Sequence, residues 1–171
     1  MAKIDNITIK KITEKNISDA YNFVDDYNST QNTCPYTKED FDNAIMDPTS
    51  LLYGTYLDGK LVAISGITID MSCCLDFLEH NNIEHDNNVR FATFAILPSA
   101  RGEQILGYST EKLVKYVKDM DCDNLLCVCG LDDIVACGIA KKLGMEMQEN
   151  YDSNNRKVFL THFDKTKSKK I

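Results

Sequence analysis

The sequence predicts an α/β (α+β) domain on a mixed, mostly antiparallel sheet, with elements in the order β-α-α-β-β-β-α-β-α-β-β. Three observations carry this expectation. Residues 51–69 hold two strand-like runs around Asp58-Gly59, a two-residue turn that needs positive φ. Residues 89–113 read as a strand, a glycine-bearing turn and the start of a helix. The last third alternates short apolar runs with helical spacing and closes on two runs around Asp152-Ser153-Asn154-Asn155.

The first strand is expected near residues 6–12, where Ile7, Ile9 and Lys11 alternate with Thr8 and Lys10. A helix follows, capped by Ser18, with Ala20, Tyr21, Phe23, Val24 and Tyr27 as its apolar stripe. Asn28 to Tyr36 is a polar loop. Thr37 and Asp40 resemble a capping box that opens a short helix with Phe41, Ala44 and Ile45 inward, and Pro48 closes it. The hairpin of residues 51–69 comes next. Residues 70–88 then interrupt the strands; Cys74, Leu75 and Leu78 suit one or two helical turns, ended by Asn81-Asn82. Inserts of this length are usually functional or mobile. Asn124 to Gly130 reads as a buried strand, and Asp132-Asp133 begin a helix with Ile134, Ala136, Cys137 and Ile139 at helical positions. Lys141 and Lys142 complement its C-terminus and Gly144 caps it. Strands near 145–151 and 156–163 form the final hairpin.

At 171 residues the chain is expected to be one domain over residues 1–164, with the insert at 70–88 and a basic tail at 165–171. Hydrophobic residues at 43% and charged residues at 26% are ordinary for a soluble globular protein, so disorder is not the default expectation. No apolar run reaches membrane-spanning length, and Met1 to Asp5 does not read as a signal peptide. Seven cysteines, several inside apolar runs, then suit reduced thiols in a cytoplasmic protein. Neither Cys127-x-Cys129 nor Cys73-Cys74 is a zinc pattern, and His80 and His85 read as solvated, so no metal is expected. The net charge is −7, and Lys165, Lys167, Lys169 and Lys170 leave the rest of the chain more acidic still. Such a surface repels nucleic acid and favours cationic partners.

The stretch from Val89 to Leu113 is the functional centre. Val89 to Leu97 is apolar, aromatic and β-branched, and Pro98 stops it. From Ser109 the period changes, with Leu113, Val114, Val117 and Met120 at helical spacing. Arg101, Gly102 and Gly107 lie between. A strand ending in a glycine turn at a helix N-terminus presents free N–H groups and a positive dipole end, which suits a phosphate.

Pro98-x-x-Arg101-Gly102, with Gly107-x-Ser109 and a helix behind it, resembles the acyl-CoA pyrophosphate loop of the GNAT N-acetyltransferase superfamily, whose core is Gln/Arg-x-x-Gly-x-Gly/Ala. Two registers are open. From Arg101 the proline spacing fits, while Gln104 and Leu106 take the glycine places. From Gln104, Gly107 and Ser109 fall in place and Leu113 becomes the helix's first core residue, in a loop longer than usual; this register is preferred. A second resemblance lies in Asp133, Ala136, Ile139, Ala140, Gly144 and Met145, spaced as in the family's Asn-x-x-Ala-x-x-Leu-Tyr-x-x-x-Gly-Phe. Asp133 stands for asparagine, Met145 for phenylalanine and Ala140 for tyrosine. The element order is similar to that fold across residues 6–163. Gly102 to Ser109 also matches a P-loop with Tyr108 in place of lysine, and Leu125 to Cys129 with Asp132 loosely imitates a Walker B strand.

The GNAT resemblance implies splayed parallel fourth and fifth strands with acetyl-CoA, a cosubstrate, in the gap. Ile96 and Leu97 would pair with the pantetheine arm. Backbone N–H groups from Gln104 to Ser109, with Gly107 and Tyr108 between them, would hold the pyrophosphate beside Arg101 and Gly102, and Asp133 would take the asparagine's place. An amine would attack the thioester directly, with a strand N–H near Ile96 stabilising the oxyanion. The catalytic residues stay unassigned. The fourth strand has no carboxylate, Asp70, Glu79, His80 and Asp132 are candidate bases, and Ala140 leaves the acid open. The polar segments 28–40 and 70–88 suit a small cationic amine, a polyamine or a lysine-like acceptor, as a small molecule or on a protein. The expected function is therefore an acetyl-CoA-dependent N-acetyltransferase, monomeric or homodimeric, without nucleic-acid or membrane partners. The alternatives are a non-catalytic acyl-CoA-binding sensor or scaffold, and a degenerate P-loop nucleotide binder.

Overall fold

Seven strands form one sheet in the order β1-β2-β3-β4-β5-β7-β6. In the computed structural model the described residues are 6–30, 34–69, 75, 78–79, 82, 84, 89–101, 105–119, 124–129, 134–142, 145–151 and 157–162. The strands are β1 (Ile7–Lys11), β2 (Leu51–Leu57), β3 (Lys60–Thr68), β4 (Val89–Ile96), β5 (Asn124–Cys129), β6 (Glu146–Tyr151) and β7 (Lys157–His162). The helices are α1 (Ile17–Asn28), α2 (Lys38–Met46), α3 (Ile105–Lys118) and α4 (Ile134–Lys142). Every neighbouring strand pair is antiparallel except β4 with β5, which is parallel. Among the described residues no helix is long and apolar enough to cross a membrane.

Local chemistry accounts for several boundaries. The β2–β3 hairpin turns on Asp58 (φ 50°) and Gly59 (φ 81°), the paired positive values that match the strands' own twist. Thr37 and Asp40 form the expected capping box: Asp40 N–H donates to Thr37 Oγ1 (3.1 Å) and Thr37 N–H to Asp40 Oδ2 (2.6 Å). Met145 N–H donates to the Ala140 carbonyl (3.1 Å), the six-to-one bond of a Schellman ending for α4. Gly144, the expected cap, lies outside the described residues.

Three boundary expectations are corrected. The N-cap of α1 is Asn16, not Ser18. Asn16 is already held by Thr13 N–H on its Oδ1 and by its own Nδ2 donating to the Lys11 carbonyl and the Tyr56 hydroxyl, so the helix starts one residue later and Ser18 falls inside its first turn. Lys11 is exposed, and the inward residue at this edge is Ile12, 3% exposed. Helix α3 begins at Ile105, four residues before the change of period at Ser109. Ile105, Ser109 and Leu113, four apart in turn, are all fully buried, so the helix already has a core-facing row from its first residue. Within 70–88, Leu75, Leu78 and Glu79 are helical, Leu78 is buried, and Asn82 takes φ 53°. Cys74 and Asn81 lie outside the described residues.

The sheet is covered on both faces. The Lys112 ammonium lies 5.2 Å from the centre of the Tyr53 ring, which puts α3 on the face shared by Tyr53 and its partner Ser65. On the other face the Tyr56 hydroxyl donates to Asp19 of α1 (2.9 Å), and the Tyr36 hydroxyl reaches across Gly66 to the Thr93 carbonyl (2.9 Å). Helices α1 and α2 therefore lie opposite α3. Strand β4 is buried along its whole length between these layers.

Candidate active site

Strand β4 keeps its parallel partner for only part of its length. Val89, Arg90 and Phe91 pair with Asn124, Leu125 and Leu126, and there the β4–β5 ladder stops. Strand β5 continues along β7 through Cys129 instead, while β4 continues along β3 to Ile96. The two central strands therefore part beyond Phe91, the splay that the sequence resemblance implies.

Ladder phase decides which β4 groups face that opening. The Leu97 N–H donates to the Val62 carbonyl (2.9 Å), so alternate residues from Phe91 to Leu97 bond toward β3. The N–H and C=O groups of Phe94 and Ile96 then point toward the β5 side, where among the described residues no strand pairs with them. Ile96 thus stands where an added extended chain could bond. Leu97 does not: its N–H is held by Val62 and its carbonyl accepts the Ala100 N–H (2.9 Å). On β4 the backbone groups facing the opening are therefore those of Phe94 and Ile96, and those of Leu97 are engaged elsewhere.

Beyond the strand, Pro98–Ala100 makes a single 3-10 turn and α3 starts four residues past Arg101. The connection is therefore short, which favours the register beginning at Arg101 over the longer loop beginning at Gln104. Free N–H groups at this helix end belong to its first turn. Gly107 lies there, exposed, and a Cβ built on it meets nothing within 4 Å. The backbone of Tyr108 belongs to the same turn. Ser109 is different. As the fifth helical residue its N–H falls inside the ladder, and the residue is fully buried on the sheet side, so its hydroxyl is not offered to a phosphate. A P-loop would need the serine exposed after an extended loop, and the early helix start removes that geometry.

Arg101 is exposed, and its Nη2 donates to the Tyr27 hydroxyl at 3.4 Å, a long bond that ties this connection to the end of α1. Gly102, Gln104 and Asp133 lie outside the described residues, as do Asp70, His80 and Asp132. Ala140, at the family's tyrosine position, is fully buried in α4. The contact between Tyr36 and Thr93 has no signal in the sequence. They are 57 positions apart, and only the folded sheet brings them together.

Two clefts of about 350 and 440 Å³ flank Asp47 and Ser50. Both lie away from the splay. One includes Thr68 and Ile69, at the end of β3 opposite Val62. Asp47 itself is occupied, accepting from Thr49 N–H (3.0 Å), Thr49 Oγ1 and Ser50 Oγ. Burial works to raise its carboxyl pKa, but these hydrogen bonds and the Arg90 charge outweigh it and the pKa is lowered. This is a structural turn.

No protein-family model matches the sequence, and no curated protein matches it. Solved structures do. An acetyltransferase of the GNAT family from Streptococcus pneumoniae aligns at TM-score 0.62 with 13% identity, over 91% of this chain and 96% of its own. Arabidopsis thaliana NAA60, solved in complex with acetyl-CoA, aligns at 0.60 with 13% identity, over 92% of this chain and 99% of its own. An acetyl transferase from Salmonella typhimurium that modifies the N-terminal serine of ribosomal protein L7/L12 aligns at 0.58 with 11% identity, over 94% of this chain and 96% of its own. At these identities the likeness is one of fold.

Proposed function

Since this chain has the GNAT fold in a divergent form, we propose that it is an acetyl-CoA-dependent N-acetyltransferase. The observation that carries the reading is the parting of β4 and β5 after Phe91, with the backbone of Phe94 and Ile96 directed into the opening and the N-terminus of α3 just past the strand's end. An extended pantetheine arm fits the first feature as an added strand does. A pyrophosphate fits the second, with the N–H groups of the first α3 turn and the Arg101 guanidinium as its donors.

In this reading a neutral primary amine enters from the α1–α2 face and attacks the thioester carbonyl. A strand N–H, at Ile96 or Phe94, stabilises the developing oxyanion. The acceptor, free or on a protein, is a small amine that is cationic in solution and loses one proton to water before it attacks. Support for that class comes from the net charge of −7, to which Glu39 on α2 contributes; Asp25 and Asp26 on α1 are already paired with Lys38 (2.8 Å) and Lys60 (2.7 Å).

Thermal stability with acetyl-CoA, free CoA, ATP plus magnesium, or buffer tests the reading. A ligand present at 100 times its dissociation constant should add about 2.7 kcal/mol. Both CoA species should raise the midpoint and ATP should not. No shift with either CoA would remove the function and leave the fold. Binding without transfer across an amine panel would reassign the chain as an acyl-CoA sensor or scaffold.

A further inference from the structure

Among the described residues, two hydroxyls on the paired strands β3 and β4 are buried without a hydrogen-bond partner: Ser65 Oγ and Thr93 Oγ1, in residues 0% and 4% exposed. Such groups are uncommon in a folded protein, because their loss of water is not repaid. The two have different surroundings. Ser65 lies on β3, which is paired on both sides, and its face is the one that α3 covers. Thr93 lies on the opposite face, two residues beyond the last β4 residue that pairs with β5. Its own carbonyl is held by Tyr36, whose ring stacks on Phe41 at 5.0 Å between centres.

Resting on the acetyltransferase reading, we infer that the Thr93 hydroxyl is the acceptor-side contact of the reaction. It accepts a hydrogen bond from an N–H of the incoming amine and so turns the nitrogen lone pair toward the thioester in the β4–β5 opening. The nitrogen forms a bond to the carbonyl carbon, and the carbon–sulfur bond breaks with its electron pair on sulfur. The proton that nitrogen loses goes to solvent water, and the thiolate takes one from solvent. Thr93 keeps its own proton throughout, so a neutral hydroxyl is sufficient on a strand that has no carboxylate. Tyr36 is the positioning residue, fixing β4 at Thr93 through the backbone.

The test compares Thr93→Val, Thr93→Ser and Ser65→Ala with the unchanged protein. Each is measured for melting temperature, acetyl-CoA binding, and turnover with spermidine, with a lysine-containing peptide, and without amine, where water replaces the acceptor. Thr93→Val should melt at the same or a higher temperature and bind acetyl-CoA as before. Its kcat/KM should fall about tenfold or more, the loss expected when a substrate hydrogen bond is removed. Thr93→Ser should restore turnover, and Ser65→Ala should leave it unchanged. Unchanged turnover in Thr93→Val overturns the inference. So does a lower melting temperature in Thr93→Val that Thr93→Ser rescues, since the hydroxyl would then serve the fold. Failure of the unchanged protein to bind acetyl-CoA is a separate result and removes the acetyltransferase reading instead.

Discussion

The Tyr36 hydroxyl donates a 2.9 Å hydrogen bond to the main-chain carbonyl of Thr93, pinning the α1–α2 connection to the middle of β4. Tyr36 is 1% exposed, so this bond is made away from water. Tyr36→Phe keeps the stacking on Phe41 and removes only the hydroxyl. Because the Thr93 carbonyl also faces β3, the loss should be near the ordinary value of a single bond, about 1 kcal/mol. Urea denaturation measures it, and an unchanged midpoint would mean the bond contributes nothing.

Gly66 makes that contact possible. A Cβ built there lies 2.3 Å from Leu52 Cδ2, 3.1 Å from the Leu51 carbonyl oxygen and 3.2 Å from the Tyr36 hydroxyl. Leu52 is 3% exposed and has little room to turn away. Gly66→Ala should therefore destabilise by about 1–3 kcal/mol through overpacking. Combined with Tyr36→Phe the cost should be less than the sum, because one clash disappears with the hydroxyl.

Tyr56 should make the fold sensitive to alkali. Burial raises its pKa to about 12; the hydrogen bond from Asn16 works against this, and the bond to Asp19 with that carboxylate's charge adds to it. The folded protein keeps the phenol neutral while the unfolded chain ionises at the ordinary value of 10.0. The resulting stabilisation is complete below pH 10 and is lost as pH rises toward 12. Guanidinium denaturation between pH 8 and about pH 11 should show the decline. A Tyr56→Phe protein should lack this part of the slope.

At the acid end the sign reverses. Asp47 holds its carboxylate against burial through Ser50, Thr49 and the Arg90 charge, so its folded pKa lies below the ordinary 3.8. Its contribution is present above that value and disappears as pH falls through the folded pKa. Asp47→Asn should flatten the acid limb of a stability–pH curve. An identical limb in the variant would show that Asp47 does not carry it.

Much of the fold was legible because its signals are local. Asp58-Gly59 encodes its turn in two residues, and Thr37 with Asp40 encodes a helix start in four. The start of α3 was misread because Ser109, a hydroxyl residue, does not register as an apolar position although it is fully buried between Ile105 and Leu113. Ser18 was misread for the converse reason, since Asn16 is fixed by Tyr56, forty positions away. The insertion of β7 between β5 and β6 has no local signature. At the site, the splay followed from the family resemblance. The use of Leu97 by Val62, and the meeting of Tyr36 with Thr93, depend on strand register and could not be read along the chain.

The partial pairing of β4 also sets a rhythm of solvent exchange along it. Its Thr93, Ala95 and Leu97 amides bond to β3 and should give up their protons only when the sheet opens. The Phe94 and Ile96 amides belong to equally buried residues but face the other way, past the end of the β5 ladder. They should exchange orders of magnitude faster, so that slow and fast sites alternate along one strand. A ligand lying along β4 as an extra strand would erase that alternation and leave the whole strand uniformly slow.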